Sequence, residues 1–330
     1  MDISVIIPLF NEEESLIELH QWVKSSLTDA GYSFELIFID DGSSDNSWKV
    51  ITNLSSTNQN VFGYRFSKNY GKSQALNAGF EYAKGKYIAT LDADLQDSPE
   101  EIPSMINMLN EQKLDLVSGW KKIRHDSLFF KNIPSKLFNF AARKVSGIKL
   151  HDFNCGIKVY RRNVIKTIDV SGEMHRYIPV LASQAGFKRI AEKQVKHQIR
   201  KYGVTKFGAE RFINGFLDLL TLWFLNQFGK RPMHFFGLLG TFMFIIGIGF
   251  LLYLGIDKLY FNINSRLITD RPQFFIALIT IIIGVQFFVS GFIGELLLRL
   301  RIKEKALQWC EYPFDKKPQS DVKALFNHPS

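Results

Sequence analysis

Tyr87-Ile88-Ala89-Thr90-Leu91-Asp92-Ala93-Asp94 is the stretch that decides the fold. A short, nearly continuous apolar run followed at once by two carboxylates reads as a buried strand with acids at its carboxyl end. The same grammar recurs on both sides. Upstream, Val61 to Phe66 reads as a strand and Lys72 to Ala83 as a helix. Before them, Phe34 to Ile39 reads as a strand that ends in Asp40-Asp41-Gly42-Ser43-Ser44-Asp45. Ser44 or Asp45 suits the cap of a helix through about Leu54. At the front, Ser4 to Pro8 is a strand, and Asn11-Glu12-Glu13-Glu14 places acids in the first turn of a helix, where the dipole is positive. That helix runs to about Ala30, and Gly31 stops it. Downstream, Pro99 opens a further helix, and Leu114 to Ser118 is a fifth strand.

Strands alternating with helices in units of about thirty residues predict an α/β fold with a mostly parallel, Rossmann-like sheet. Ligands of such sheets bind at the carboxyl ends of the strands. The polar clusters fall there: Asn11-Glu12, Asp40-Asp41 and Asp92-Ala93-Asp94. The last can share Mg²⁺ or Mn²⁺ with a diphosphate, because such ions keep few protein ligands and take the rest from phosphate and water. Taken alone, Asp92-Ala93-Asp94 reads equally well as a solvated loop that caps the Pro99 helix.

The hydropathy changes after residue 206. Phe212, Phe216, Leu219, Leu220, Trp223 and Phe224 recur at helical spacing, with Glu210, Arg211, Asn214 and Asp218 between them. This predicts an amphipathic helix, lying on a membrane or packed against the catalytic domain. Pro232 to Ile256 and Pro272 to Leu298 are then almost wholly apolar. At about 1.5 Å per residue each exceeds the roughly 30 Å hydrocarbon core of a bilayer. The predicted organisation is therefore a catalytic domain at 1–206, an amphipathic juxtamembrane region at 207–231, spans at 232–256 and 272–298 around a short non-cytoplasmic loop at 257–271, and a basic tail at 299–330. Lys230 and Arg231 precede the first span, and Arg299, Arg301, Lys303 and Lys305 follow the second. The loop carries Lys258, Arg266 and Arg271. This bias predicts an integral, two-span membrane protein with both termini and the catalytic domain cytoplasmic. Glu295, inside the second span, sits at the interface or faces a helix partner.

A net charge of +9 and a pI near 9.3 suit an anionic membrane surface or phosphorylated substrates. No zinc finger or basic zipper is present, so nucleic acid is not an expected partner. The two cysteines, Cys155 and Cys310, form no CxxC pair, which argues against a zinc or dithiol site. Met1 to Pro8 lacks the basic region of a signal peptide and reads as the first strand.

Taken in order, Val5-Ile6-Ile7-Pro8-Leu9-Phe10-Asn11-Glu12-Glu13, Ile39-Asp40-Asp41-Gly42-Ser43-Ser44-Asp45, Asn69-Tyr70-Gly71-Lys72 through Ala75-Leu76-Asn77-Ala78-Gly79, and Asp92-Ala93-Asp94-Leu95-Gln96-Asp97 resemble family 2 glycosyltransferases of GT-A fold. Gly156-Ile157-Lys158-Val159-Tyr160-Arg161 and the two C-terminal spans are similar to the polyprenyl-phosphate sugar transferases within it, of the dolichol-phosphate mannose synthase and bacterial glucosyltransferase types. The resemblance covers nearly the whole chain.

That resemblance implies an inverting, metal-dependent transfer of sugar from a UDP- or GDP-linked donor to polyprenyl phosphate, in a homo-oligomer. Pro8, Phe10, Glu12 and Asp41 would line the base and ribose pocket, with Lys72 also on the donor side. Asp92 and Asp94, helped by Gln96, would hold the metal and the donor diphosphate. Asp41 has a second reading, as a helix cap. Phe10 stands where many relatives have Tyr, which leaves base preference open. The two-span architecture and the Cys155 to Lys158 region favour UDP-glucose. For the acceptor phosphate the candidates are Arg124, Lys131, Lys136, Arg176, Arg200 and Lys206, of which Arg200 and Lys206 lie in a segment similar to the family's basic loop after the last strand. His175-Arg176 resembles a pair near the active site. Asp152 is the acceptor-side carboxylate, acting as a base, as a positioning group, or only as a turn carboxylate. A processive polysaccharide synthase would carry a QxxRW motif, and none is found. Transfer to another lipid and a noncatalytic membrane scaffold are the remaining alternatives; intact Asp41, Asp92 and Asp94 speak against the scaffold.

Overall fold

A computed structural model describes residues 1–122, 139, 142–143, 146–170, 172, 174–198, 201–202, 224, 228, 232–261, 267–300 and 310–311. Arg124, Lys131, Lys136, Arg200 and Lys206 lie outside the described residues, as do the expected amphipathic helix, apart from Phe224 and Phe228, and most of the basic tail. The chain divides into two compact units, Met1–Leu220 with Gln308–Ser330, and Thr221–Leu307.

The first unit is built on β1 (Ile3–Leu9), α1 (Leu16–Asp29), β2 (Phe34–Asp40), α2 (Ser47–Thr57), β3 (Val61–Phe66), α3 (Lys72–Tyr82), β4 (Tyr87–Thr90), α4 (Glu101–Glu111), β5 (Leu116–Trp120), β6 (Lys158–Arg161), α5 (Arg162–Thr167), α6 (Ile178–Gln184) and β7 (Ile190–Gln194). A 3₁₀ turn, Met174–Tyr177, leads into α6. Among the described residues the strands form one sheet in the order β7-β5-β6-β4-β1-β2-β3-β8, where β8 is Cys310–Glu311. β1 runs parallel to β2 and β4, β2 to β3, and β5 to β7. β6 is antiparallel to both β4 and β5, between which it lies.

β1 is buried along its whole length because both faces of the sheet are covered. Ile3, Val5, Ile7 and Leu9 pack with Leu16, Leu19, Val23 and Leu27 of α1, Ile51 of α2 and Ile102 to Leu109 of α4. Ile6 points the other way, into a second core with Leu76 and Phe80 of α3, Val164 and Ile165 of α5, and Ile178 of α6. Each large aliphatic side chain so buried contributes about 1.5–3 kcal/mol. Gly79 lets α3 lie close on β1: a Cβ there would come within 2.3 Å of Ile6 Cγ2. Arg161 caps the far end of α4, donating from Nε to the Leu114 carbonyl at 2.8 Å and from Nη2 to the Leu109 carbonyl at 3.1 Å.

Two helix starts differ from expectation. α1 begins at Leu16, so Glu12, Glu13 and Glu14 precede it, and Glu18 is the acid of its first turn. The reason is tertiary: Asn11 has φ +55°, and the loop is pulled into bonds with the β2–α2 loop. α4 begins at Glu101, two residues after Pro99; the Ser98 and Pro99 carbonyls accept from Glu101 and Ile102.

In the second unit, α7 (Pro232–Ile256) continues into a π-helical turn, Asp257–Phe261, and α8 spans Pro272–Leu300. Within the stretches Pro232–Phe261 and Pro272–Leu296, an 18-residue window reaches a mean hydropathy of 2.3 in the first and 2.4 in the second, and both helices are long and apolar enough to cross a membrane. Only 17% of each apolar window is buried, which is unlike the core helix of a soluble domain. The two helices touch backbone to backbone: a Cβ on Gly240 would lie 2.6 Å from the Gly284 carbonyl oxygen, and one on Gly284 would lie 2.8 Å from that of Gly240. Between the helices, Arg271 Nη1 pairs with Asp257 Oδ2 at 2.6 Å.

Candidate active site

The carboxyl ends of β1, β2 and β4 carry the expected clusters, and hydrogen bonds lock the first two together. The Asn11 amide donates to Ser43 Oγ at 2.9 Å, and Asn11 Oδ1 accepts from the Ser44 amide at 2.8 Å. The Glu12 amide donates to Ser47 Oγ at 3.0 Å and the Glu13 amide to Asp45 Oδ2 at 3.2 Å, while Glu13 Oε2 accepts from the Asn46 amide at 2.7 Å. Pro8 is buried in β1, and Phe10 and Glu12 are half-buried at the edge of this preformed wall. Asp41 is buried, and its carboxylate accepts from the Tyr70 amide at 2.7 Å and the Gly71 amide at 2.9 Å. It therefore fastens the loop into α3 rather than capping α2. Asp45 serves α2 instead, through the Ser47 amide at 2.9 Å.

Asp92 and Asp94 leave the end of β4 on a turn in which Leu95 has φ +59°. Asp94 Oδ1 accepts from the Gln96 amide at 3.2 Å, and the Gln96 carbonyl accepts from the Gln198 amide at 2.9 Å. Gln96 thus holds Asp94 and the segment after β7 through its backbone. Asp92 lies against Gly156, where a Cβ would fall 2.5 Å from the carboxylate carbon. Lys72, the first residue of α3, reaches across with Nζ 2.5 Å from Asp92 Oδ1.

Burial works against charge on Asp92, but Lys72, with Lys121 and Lys158, outweighs it and holds the carboxyl down at about 2. Asp94 goes the other way. Burial, then Asp92 and Asp97, raise it to about 6. Burial first, and the neighbouring carboxylates after it, leave the Asp94 charge poorly compensated, and a cation there would relieve it.

Behind Asp92 lies a small cavity of about 20 Å³, room for one or two waters, lined among others by Lys72, Asp92, Asn154, Lys158, His175 and Arg176. Lys158 is buried in β6, its Nζ donates to the Cys155 carbonyl, and burial pulls its charge down. His175 is held neutral, well below its usual range, by burial and then by Lys72 and Arg176. Its Nδ1 shares a 3.0 Å hydrogen bond with Ser73 Oγ. Cys155 is buried, and burial pushes its thiol up, so it is an inert neutral group. On the β5 side, Lys121 Nζ lies 2.6 Å from the buried Asp97 Oδ1, and His197 Nδ1 stands 4.0 Å from that oxygen. Burial opposes the Lys121 charge, but Asp97 holds it above its ordinary range.

No group of three or more His, Cys, Asp or Glu side chains positioned for a metal occurs among the described residues. A pair of carboxylates at a strand end suits a hard cation that takes its other ligands from phosphate and water. Asp152 is buried, and its Oδ1 accepts from the Asn154 amide at 3.0 Å, which is the turn-carboxylate geometry. The structure therefore brings Lys72, Asp92, Arg176 and the neighbours of Asp152 together.

The glycosyl transferase family 2 model matches residues 4–169. The chain is 37% identical, over 311 residues, to the dodecaprenyl-phosphate galacturonate synthase of Rhizobium johnstonii, covering 93% of this chain and 90% of that one. The chain is a family 2 glycosyltransferase. This transferase is also 35% identical over 300 residues to the undecaprenyl-phosphate 4-deoxy-4-formamido-L-arabinose transferase of Shewanella sediminis, covering 90% of this chain and 87% of that one. Among solved structures it is similar to the UDP complex of glucosyl-3-phosphoglycerate synthase from Mycobacterium tuberculosis, with a TM-score of 0.51, 18% identity, and coverage of 67% of this chain and 80% of that one. That likeness carries the GT-A fold, as expected.

Sequence reasoning assigned no role to Lys121 or Lys158 of the transferase. Lys121 directly follows the fifth strand, so the strand-end rule that found Asp92 also reaches it. Lys158 opens β6 between Ile157 and Val159, a charge flanked by apolar residues, and its burial appears only in the assembled sheet.

Proposed function

We propose that the transferase moves a sugar from a nucleoside diphosphate sugar to polyprenyl phosphate at the cytoplasmic face of a membrane, with inversion and with Mg²⁺ or Mn²⁺. The observation that carries this reading is the Asp92–Asp94 pair, backed by Lys72 and Arg176, at the strand ends of a chain whose relatives are named for polyprenyl-phosphate sugars. Two helices long and apolar enough to span a bilayer support a lipid acceptor. The cytoplasmic assignment is supported by the basic residues flanking those helices, Lys230 and Arg231 before the first and Arg299, Arg301, Lys303 and Lys305 after the second. Catalytic and membrane parts would divide near residue 206, and the enzyme would work as a homo-oligomer.

Pro8, Phe10 and Glu12 line the base and ribose pocket, and Asp41 shapes it by holding Tyr70 and Gly71. Asp92 and Asp94 hold the metal, which when bound neutralises the leaving diphosphate. One oxygen of the lipid phosphate attacks the anomeric carbon, and the bond from that carbon to the diphosphate oxygen breaks, leaving its electron pair on the nucleoside diphosphate. A phosphate monoester has its second pKa near 6, about a unit below cellular pH, so the nucleophile is already ionised. Asp152 therefore positions its turn and its cationic neighbours rather than taking a proton. Arg176, with Arg124, Lys131, Lys136, Arg200 and Lys206, supplies the cations around the acceptor phosphate.

The test is release of nucleoside diphosphate by full-length enzyme in detergent with undecaprenyl phosphate and Mg²⁺ or Mn²⁺. The donor panel starts from UDP-glucose and includes UDP- and GDP-sugars, the galacturonate and formamido-arabinose donors among them. Release should require lipid, stop with chelator, and fall at least about a hundredfold in Asp94→Asn. Equal release without lipid, or none with any donor, overturns the acceptor.

A further inference from the structure

Lys72 occupies the oxygen that a metal would need. Its ammonium stands 2.5 Å from Asp92 Oδ1, a full charge-assisted contact. The contact is not sealed: the Lys72 side chain is 36% exposed and that of Asp92 is 28% exposed, so the flexible lysine has an open path away. Asp92 lies against Gly156 at the end of β4. Arg176 lines the same cavity, so a bare dication approaching Asp92 meets fixed positive charge as well as the lysine. A dication that arrives with a diphosphate meets a different field. The phosphate charge attracts the displaced ammonium and offsets its repulsion from the metal.

We propose that Lys72 is the resident counter-ion of Asp92 and keeps the metal site closed until a nucleoside diphosphate arrives, so that metal and nucleotide bind as a coupled pair. This rests on the reading of Asp92 and Asp94 as metal ligands. The lysine is then a positioning residue that serves two anions in turn, first Asp92 and then the diphosphate. The order of binding follows from that exchange, and by linkage the metal raises nucleotide affinity by the same factor.

The test measures the Mn²⁺ retained by full-length protein in detergent by equilibrium dialysis, with Mn²⁺ alone and with saturating UDP or GDP on both sides of the dialysis membrane, so that metal held by nucleotide in solution cancels. Wild type should bind Mn²⁺ alone weakly and at least about tenfold more tightly with nucleotide. Lys72→Met should bind Mn²⁺ alone about tenfold more tightly than wild type, with a smaller gain from nucleotide. Lys72→Arg keeps the charge and should behave as wild type with Mn²⁺ alone. Unchanged or weaker Mn²⁺ binding by folded Lys72→Met overturns the proposal. So does a wild type that binds Mn²⁺ equally well with and without nucleotide, a result that needs no variant. Asp94→Asn separates the two readings. If it abolishes Mn²⁺ binding in the presence of nucleotide, the metal site stands whatever Lys72 does. If wild type shows no Mn²⁺ binding that depends on Asp94, the metal site itself falls.

Discussion

Burial holds the Asp40 carboxyl above its ordinary range, although the Ser43 amide donates to it at 2.8 Å and Arg65 Nε stands 3.5 Å away. A carboxyl whose folded pKa exceeds its unfolded value stabilises the fold below that unfolded value and loses the contribution as pH rises through the folded one. Asn does not titrate and keeps the oxygen that accepts from Ser43. The stability of Asp40→Asn relative to wild type should therefore rise as the pH is raised above about 4, measured by denaturant unfolding at each pH. A relative stability that is flat or falls with pH would show that Arg65 governs the group. At this scale the position of each acid was readable and its duty was not. Asp92 and Asp94 announce themselves by following an apolar strand. Asp41 was read as pocket lining or a helix cap, yet it holds two amides about thirty residues downstream, a contact that local spacing does not encode. Lys158 was quoted within a motif but given no task, because its burial is a property of the assembled sheet.

Elements were legible where a hydrophobic period was long. β1 to β5, α1 to α4 and the two apolar helices follow from pattern alone, with most ends off by a residue or two and the end of α2 three residues beyond Leu54. Larger misses came where tertiary bonds override local preference, as at Glu12 to Glu14, whose loop is tied to the β2–α2 loop. β6 is only four residues long, and two of them are Lys158 and Arg161, so it carries no strand period to read. In the helical pair, small residues do the work that side-chain size does elsewhere, because apolar surface gains little by hiding from lipid. The approach of Gly240 and Gly284 leaves no room for a side chain. Gly284→Val should destabilise the pair by about 1–3 kcal/mol, read as a lower melting temperature in detergent. An unchanged melting temperature would mean that the helices do not pack through these glycines.

For the whole molecule, family and reaction class were legible because the motifs lie in fixed order along one sheet. The sugar was not, since it depends on how pocket side chains meet in space. One feature of the sheet bears on how such an enzyme changes over time. β5 and β6 lie side by side and antiparallel, Ser118 opposite Lys158, and the Gly119 amide donates to the Ile157 carbonyl at 2.9 Å. Whatever lies between them departs from and returns to one clasp beside Asp92. That stretch also carries Lys121, Asp152, Asn154 and Gly156, so the seam for a harmless exchange lies inside them, at residues 123–138. Replacing residues 123–138, which carry Arg124, Lys131 and Lys136, with those of a relative should leave UDP or GDP affinity within about threefold, while the preferred lipid is free to change. A chimera that loses nucleotide affinity would place the seam elsewhere. If it holds, descent can rewrite the recipient of the sugar without disturbing its source.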